Sequence, residues 1–408
     1  MRILICGGGI AGLTLAWCLE QRGHQLLVVE SASRFRNDGY MIDFSGSGYD
    51  ACERLGLLPA LERVHYPISR LAFMDRQGHE RFSIRYSVLR KRLFEGRHFN
   101  FMRGELAQVL QDQLEGKVEL RFGTTVEAIE QREDHVHVRL SDGSTEDFEL
   151  VVGADGVHSQ VRRLVFGPED RFARFLGCYT AAFIADSTPS ELRDSNAFVS
   201  LVVQDRQVAV YPIRGERLAT FFIHRAKRPL EDFSREAVLQ EMRVAYGGLD
   251  WIVPELLEGC AQTANLYFDK VMQIELPQWS TGRVVLVGDA CQCVSLLAGQ
   301  GASMAVAGAY VLAEEWEKAG GAVHTALARY EQRLKPAIER MQAAGRRIVR
   351  WFVPDSPLRA ALWQLGMRAS SWPIAAAFMR RSLAADSIFK RAPADRTAGH
   401  ATLNSYIV

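Results

Sequence analysis

Residues 3–30, ILICGGGIAGLTLAWCLEQRGHQLLVVE, place a short apolar strand, a glycine turn, a helix and a second strand ending in an acid in immediate succession. Few folds accept that order. Gly7, Gly9 and Gly12 hold GxGxxG spacing, and Ala11 lies in the same turn. Gly7 permits a tight turn, Gly9 lets the backbone approach a pyrophosphate, and Gly12 allows helix and strand to pack closely. The helix N-terminus then faces the phosphates. Leu26 to Val29 form the second strand, and Glu30 at its end can accept both hydroxyls of a ribose. These spacings predict a doubly wound α/β domain that binds a dinucleotide, with Gly7, Gly9, Ala11, Gly12 and Glu30 as cofactor contacts.

A chain of 408 residues can bury a large core and divide into two or three domains. Its net charge of +1, with no basic stripe interleaved with aromatics in the first 330 residues, argues against nucleic acid as a partner. No run of 18 apolar residues occurs, so no membrane span is expected. Because the first strand starts at once, a signal peptide has no room ahead of it and a cytoplasmic location is expected. The seven cysteines show neither CxxC spacing nor histidine companions. They read as reduced, buried small residues, and no metal site is expected. Cys291 and Cys293 are the one pair that invites a redox reading, but alternate residues on an extended strand bridge poorly.

After a glycine-punctuated loop at 31–48, Tyr49 to Leu58 looks helical and Pro59 starts another short helix. Residues 68–101 alternate around turns such as Gln77-Gly78, which predicts strands of a second sheet. A helix from about Arg103 and strands near Val118–Arg121 and Thr125–Glu130 return to the first domain. The hairpin after them turns at Asp142-Gly143, with Val136, Val138 and Leu140 facing Phe148, Leu150 and Val152. GADGVHSQVR puts Asp155 at a strand end, and residues 175–223 read as an antiparallel meander. The second domain is therefore interleaved with the first. From Gly301 helices dominate, and Gly301 to Lys318 is apolar nearly all round, as a buried helix is. The stretch Arg340 to Arg381 mixes Trp351, Phe352, Trp363, Trp372 and Phe378 with eight arginines. A helical layer capping the core accounts for it better than membrane contact does.

The run GDACQCVSLLAGQG, Gly288 to Gly301, completes the pattern. Backbone groups at Gly299, Gln300, Gly301 and Ala302 form a helix start whose positive end can stabilise negative charge. Taken together, GxGxxG with Glu30, Arg103 in FMRGEL, GADG at Asp155 and GDA at Asp289 resemble the class A flavoprotein monooxygenases, the para-hydroxybenzoate-hydroxylase-like aromatic hydroxylases. The resemblance spans residues 1–335 in order, and the segment around Asp289 looks most like the tetracycline-destructase-like and polyketide-tailoring branch. It implies tightly but non-covalently bound FAD, with Arg103 contacting the cofactor and Gly288 and Asp289 at its ribityl chain. Asp155 would serve FAD and the nicotinamide cofactor together. It also implies a transient NAD(P)H reductant, O₂, a flavin hydroperoxide and hydroxylation of a bulky aromatic or polyketide-like small molecule.

The implied fold is a Rossmann-like FAD-binding domain (1–67, 102–170, 276–335) interleaved with a mainly antiparallel substrate domain (68–101, 171–275) and followed by C-terminal helices (336–408). The substrate would lie between the meander sheet and the flavin, where Tyr211 and Phe222 are candidate wall residues. No catalytic acid or base is assigned, because the cofactor carries the chemistry. The oligomeric state is monomer or homodimer. Family members commonly carry proline after GDA, where this chain has Val294, Ser295, Leu296 and Leu297. A flavin-dependent halogenase or reductase, or a flavin-binding partner with decayed oxygenase activity, are the alternatives. The halogenase WxWxIP signature is absent.

Overall fold

The computed structural model describes residues 1–35, 39–193, 196–369 and 387–389. Five parallel strands form the core of the first domain, in the order Val284–Leu286, Leu150–Gly153, Arg2–Cys6, Gln25–Glu30 and Glu119–Phe122. Ser280–Thr281 adds a short antiparallel edge. Ile3, Leu4, Ile5, Val151, Val152, Val285 and Leu286 are fully buried, as strands covered on both faces must be. The helices Ile10–Glu20 and Gly301–Lys318 pack on each other over this sheet, and the second is buried along most of its length.

The second domain is built on a larger sheet, ordered Tyr267–Ile274, Ala173–Ala182, Arg217–Arg225, Arg206–Ile213, Ala197–Val203, Arg70–Met74 and Glu80–Arg85. Helices Arg235–Tyr246 and Val253–Gln262 cover one face through Phe183, Phe222 and Tyr246. Against the other face lie Leu296, Leu297 and Val349. Early strands (70–85) and late strands (173–274) share this sheet, so the chain visits the domain twice, as the interleaving predicts.

Two local expectations change. Residues 68–101 are not all strand: Tyr86–Phe94 is a helix, and His98–Met102 leaves the large sheet to pair with Met41–Ser45 in a separate two-stranded ribbon. The hairpin at Asp142-Gly143 ends at Phe148, opposite Val136, while Leu150 and Val152 belong to the parallel sheet.

Helix Val323–Phe352, 30 residues and so about 45 Å long, ties the two domains together. Near its start the Tyr330 hydroxyl donates to Leu286 O (3.1 Å), and at its end Val353 O accepts from the Arg225 guanidinium (2.7 and 2.9 Å). Helix Pro357–Ala369 then caps the large sheet, with Trp363 edge-on to Phe73 at 5.3 Å. Phe389 returns to the first domain, packing edge-on to Tyr310 under the Arg54 guanidinium. Trp372 and Phe378 lie outside the described residues. Among those residues, no helix is long and apolar enough to cross a membrane.

Candidate cofactor and substrate site

The glycine turn is dictated by space. Gly7 has φ +112°, and a Cβ there would lie 2.4 Å from Ala154 O; one on Gly12 would lie 2.0 Å from Gly7 O. Gly9 differs. A Cβ on it would meet nothing nearer than Arg103 Nη2, at 3.9 Å. The protein leaves that side open, so whatever needs Gly9 small is not protein. Helix Ile10–Glu20 starts there with no side-chain cap and no acidic residue in its first turn, leaving its first N–H groups for an anion. Ala11 packs under the next motif, since a Cβ on Gly288 would come within 2.7 Å of the Ala11 methyl.

Glu30 is locked at its strand end. Its Oε2 accepts Gly8 N–H (2.8 Å) and its Oε1 accepts Ala32 N–H (2.8 Å), which orients the partly exposed carboxylate beside the turn. Arg103 opens helix Arg103–Asp112, its N–H donating to Tyr40 O at 3.0 Å while its side chain reaches Gly9.

Asp155 is spent on the fold. It accepts the Ser159 hydroxyl and Val161 N–H (3.0 Å), holding the start of helix Gln160–Val165 against the glycine turn. Burial raises its carboxyl and these bonds pull it back. Arg162, two turns on and not singled out as functional from sequence, is fully buried and joins this helix to the Asp289 turn: Nη1 donates to Ala290 O (2.9 Å) and Nη2 to Val157 O (2.7 Å).

Asp289 is exposed while its chain neighbours Val284 to Gly288 and Ala290 are buried, so its side chain stands at an opening of the core. Burial pushes its carboxyl above the ordinary value, and the Arg103 charge pulls it back. Gly299 is left-handed (φ +63°), and Gln300 leads into helix Gly301–Lys318 with no side-chain cap and no acid in its first turn. A Cβ on Gly301 would lie 3.9 Å from Asp289 Oδ1. Gly9, Arg103, Asp289 and two uncapped helix starts thus border one groove: Arg103 and the helix N–H groups can donate to an anionic dinucleotide, and Asp289 can accept from its hydroxyls.

A family model described as an FAD binding domain matches residues 1–344. The chain belongs to that family. A flavin-dependent monooxygenase from an unknown prokaryotic organism is 32% identical over 88% of this chain and 92% of its own length. The tetracycline destructase Tet(55) superposes with a TM-score of 0.82 at 28% identity, covering 95% of this chain and 98% of that one. Klebsiella pneumoniae HpxO, solved with FAD and uric acid, shares the fold at a TM-score of 0.78 and 23% identity, over 95% and 97% of the two chains. Members of this FAD-dependent monooxygenase family place the resemblance drawn from the motifs on firm ground.

The two candidate wall residues, Tyr211 and Phe222, lie on opposite faces of the large sheet. Phe222 is fully buried against Phe183 and Tyr246, on the helix-covered face of the large sheet. Its neighbour Phe221 points the other way, its ring 6.1 Å from Tyr40, which in turn lies 5.9 Å from Tyr267. Successive strand residues face opposite sides, so a shift of one exchanges core for groove. Tyr211 is on the groove-facing side but only 2% exposed; its hydroxyl accepts Met41 N–H and faces Met102 Sδ at 3.7 Å. It braces the ribbon and is not a free wall residue. Burial raises the phenols of Tyr40 and Tyr267, so both stay protonated.

The segment lacking the family's proline is held by other means. Gln273, fully buried, donates to Val294 O (3.0 Å), and Gln342 donates to Cys293 O (3.1 Å) and Ile274 O (2.8 Å). Ser295 carries φ +96°, a conformation proline cannot adopt. All seven cysteines are free and buried, and burial raises the thiols of Cys291 and Cys293 well above their ordinary value, which leaves them poor nucleophiles.

Proposed function

We propose that the protein is a monooxygenase that hydroxylates a bulky aromatic or polyketide-like molecule with NAD(P)H and O₂. The observation that carries this reading is the groove in which Arg103 and Asp289 flank the open side of Gly9 and which runs on to the aromatic wall of Tyr40, Phe221 and Tyr267. When bound, FAD supplies the redox and oxygen chemistry. Gly7, Gly9, Ala11 and Gly12 admit its pyrophosphate, Glu30 takes the ribose, and Arg103, Gly288 and Asp289 hold the chain that leads to the ring. Asp155 acts at one remove, by fixing the turn under Gly7. The uncapped helix start at Gly299, Gln300, Gly301 and Ala302 favours charge that develops on the ring during reduction.

The aromatic wall excludes water and packs a planar substrate against the ring; offset or edge contacts at these separations are favourable beyond their buried area. No second dinucleotide motif is present in the sequence, consistent with a nicotinamide cofactor that binds only transiently. Tet(55) and HpxO, one named for tetracycline and the other solved with uric acid, are compatible with a fused-ring substrate here.

The deciding experiment incubates the FAD-loaded protein with NADH or NADPH under ¹⁸O₂ and a panel of phenols and polyketides. Oxidation of the nicotinamide should rise on addition of a substrate, and mass spectrometry should find one ¹⁸O atom in its product. Oxidation that no compound stimulates would favour a flavin-binding partner protein, and incorporation from water would exclude oxygenation.

A further inference from the structure

Tyr40 alone of the rings in the aromatic wall is not carried by the large sheet, where Phe221 and Tyr267 stand on Arg217–Arg225 and Tyr267–Ile274. Its place is fixed from two sides. It continues the ribbon one step beyond the Met41–Met102 pair, its carbonyl accepting Arg103 N–H at 3.0 Å. Just before it, Gly39 has φ +133°, and a Cβ there would lie 3.3 Å from Arg103 Cβ. Only glycine takes that conformation without strain, so the chain passes close over Arg103 and sets Tyr40 down beside it.

Both rims of the groove converge on this ring. Burial raises its phenol, the Arg103 charge pulls it back, and Asp289 and Cys293 add to the rise. On its other side Tyr40 meets Phe221, 6.1 Å between ring centres, and Phe221 packs in the cluster that holds Leu296 and Leu297. Those two residues lead into the helix start at Gly299. Tyr40 thus stands between the side chains that would hold the cofactor's chain and the helix start that favours charge on its ring. Nothing in the fold makes use of the phenol. Among the described residues its hydroxyl has no hydrogen-bond partner, whereas those of Tyr66, Tyr86 and Tyr211 engage Glu105, Asp43 and Met41.

We propose that the side chain of Tyr40 positions the flavin by lying against its ring system, which leaves Phe221 and Tyr267 to face the substrate. This rests on the reading of the groove as the FAD site, but its test does not need turnover. Aromatic rings in contact gain beyond their buried area, so the cofactor would be held at its ring as well as at its phosphates. A phenol touching a flavin also quenches its fluorescence: the excited ring takes one electron from the phenol and returns it, with no net chemistry. Phenylalanine keeps the ring but is too hard to oxidise to do this, and tryptophan does it at least as well. The FAD-loaded protein is freed of unbound FAD, and fluorescence is read per bound flavin in wild type, Tyr40→Phe, Tyr40→Trp and Tyr267→Phe.

Fluorescence should be low in wild type, rise several-fold in Tyr40→Phe with FAD content unchanged, stay low in Tyr40→Trp and change least in Tyr267→Phe. In Tyr40→Leu, which removes the ring, the Kd for FAD should rise about two- to tenfold, and Tyr40→Phe should keep the wild-type value. A Tyr40→Phe protein as dark as wild type, or a gain as large in Tyr267→Phe, overturns the proposal. If Tyr40→Phe does not fold, a bright Tyr40→Trp overturns it equally. Substrate-stimulated ¹⁸O incorporation beside an unmoved fluorescence would overturn it and leave the monooxygenase reading standing. A gain in fluorescence in a protein that oxygenates nothing would uphold the Tyr40 contact and sink that reading instead.

Discussion

The two rims of the FAD groove are shaped by opposite means. Residues 7–12 are set by what they lack: Gly7 and Gly12 have no room for a Cβ, and the clashing atoms are backbone that cannot yield. The rim at 293–299 is set by what reaches it from afar, Gln273 on a strand of the large sheet and Gln342 on the domain-tying helix. One rim is rigid through sterics confined to a short window, the other through buried hydrogen bonds spanning 21 and 49 residues of sequence. A chain can therefore lose a proline at the second rim and keep the backbone fixed, whereas no distant residue can replace a glycine at the first.

The largest effects separate two glycines within the first rim. Gly12→Val should yield no folded protein, because the new side chain meets Gly7 O. Gly9→Val should fold and melt near the temperature of FAD-stripped wild type yet hold no FAD, since its Cβ faces a side that the protein leaves open. Flavin absorbance per folded molecule, with circular dichroism, distinguishes the two. Normal FAD content in Gly9→Val would remove the glycine turn from the site.

Gln342→Leu tests the second rim and should do less. It strips the amide donor from Cys293 O and Ile274 O in a buried setting, at a cost of about 1–3 kcal/mol. FAD should bind more weakly, by less than the loss seen in Gly9→Val, because Asp289 and the helix start remain. Denaturant unfolding and FAD titration read both quantities. A variant as stable as wild type would mean that the strand and the Ser295 turn suffice to hold this rim.

The same contrast explains what could be read from sequence. The strand, turn and helix order of residues 3–30, the meander and the buried helix Gly301–Lys318 all rest on local spacing, and the structure has them. Arg162, Gln273 and Gln342 could not be found that way, since their partners lie at 290, 294 and 293 and nothing in a short window marks a buried polar side chain as a strut. Phe222 was a failure of parity: in a doubled Phe221-Phe222 both residues are apolar, so alternation does not say which faces the groove. The hydrogen bonds of Asp43 to Tyr86 and Asn100 were hidden because residues 86–101 read as strands of a second sheet and 41–45 as part of a loop, whereas a helix and a two-stranded ribbon bring them together.

The smallest effect concerns the outer seam between the domains. His158, from the turn after Asp155, bridges Glu169 (3.0 Å) and Asp269 on the large sheet (3.2 Å). Hydrogen bonds donated to Asp269 and Glu169 outweigh burial and raise the imidazole from its ordinary 6.5 to about 10. A group whose pKa rises on folding stabilises fully below its unfolded value and loses that contribution as pH climbs to the folded one. The stabilisation from His158 should therefore be complete below pH 6.5 and gone above about 10. With 55% of its side chain exposed, solvent screening holds the effect to about 1 kcal/mol or less. The melting-temperature gap between wild type and His158→Gln should be widest below pH 6.5 and close between there and about pH 10. A gap that stays constant with pH would show that His158 joins the domains by packing, and would leave the hydrogen-bonded inner rim as the polar tie between them.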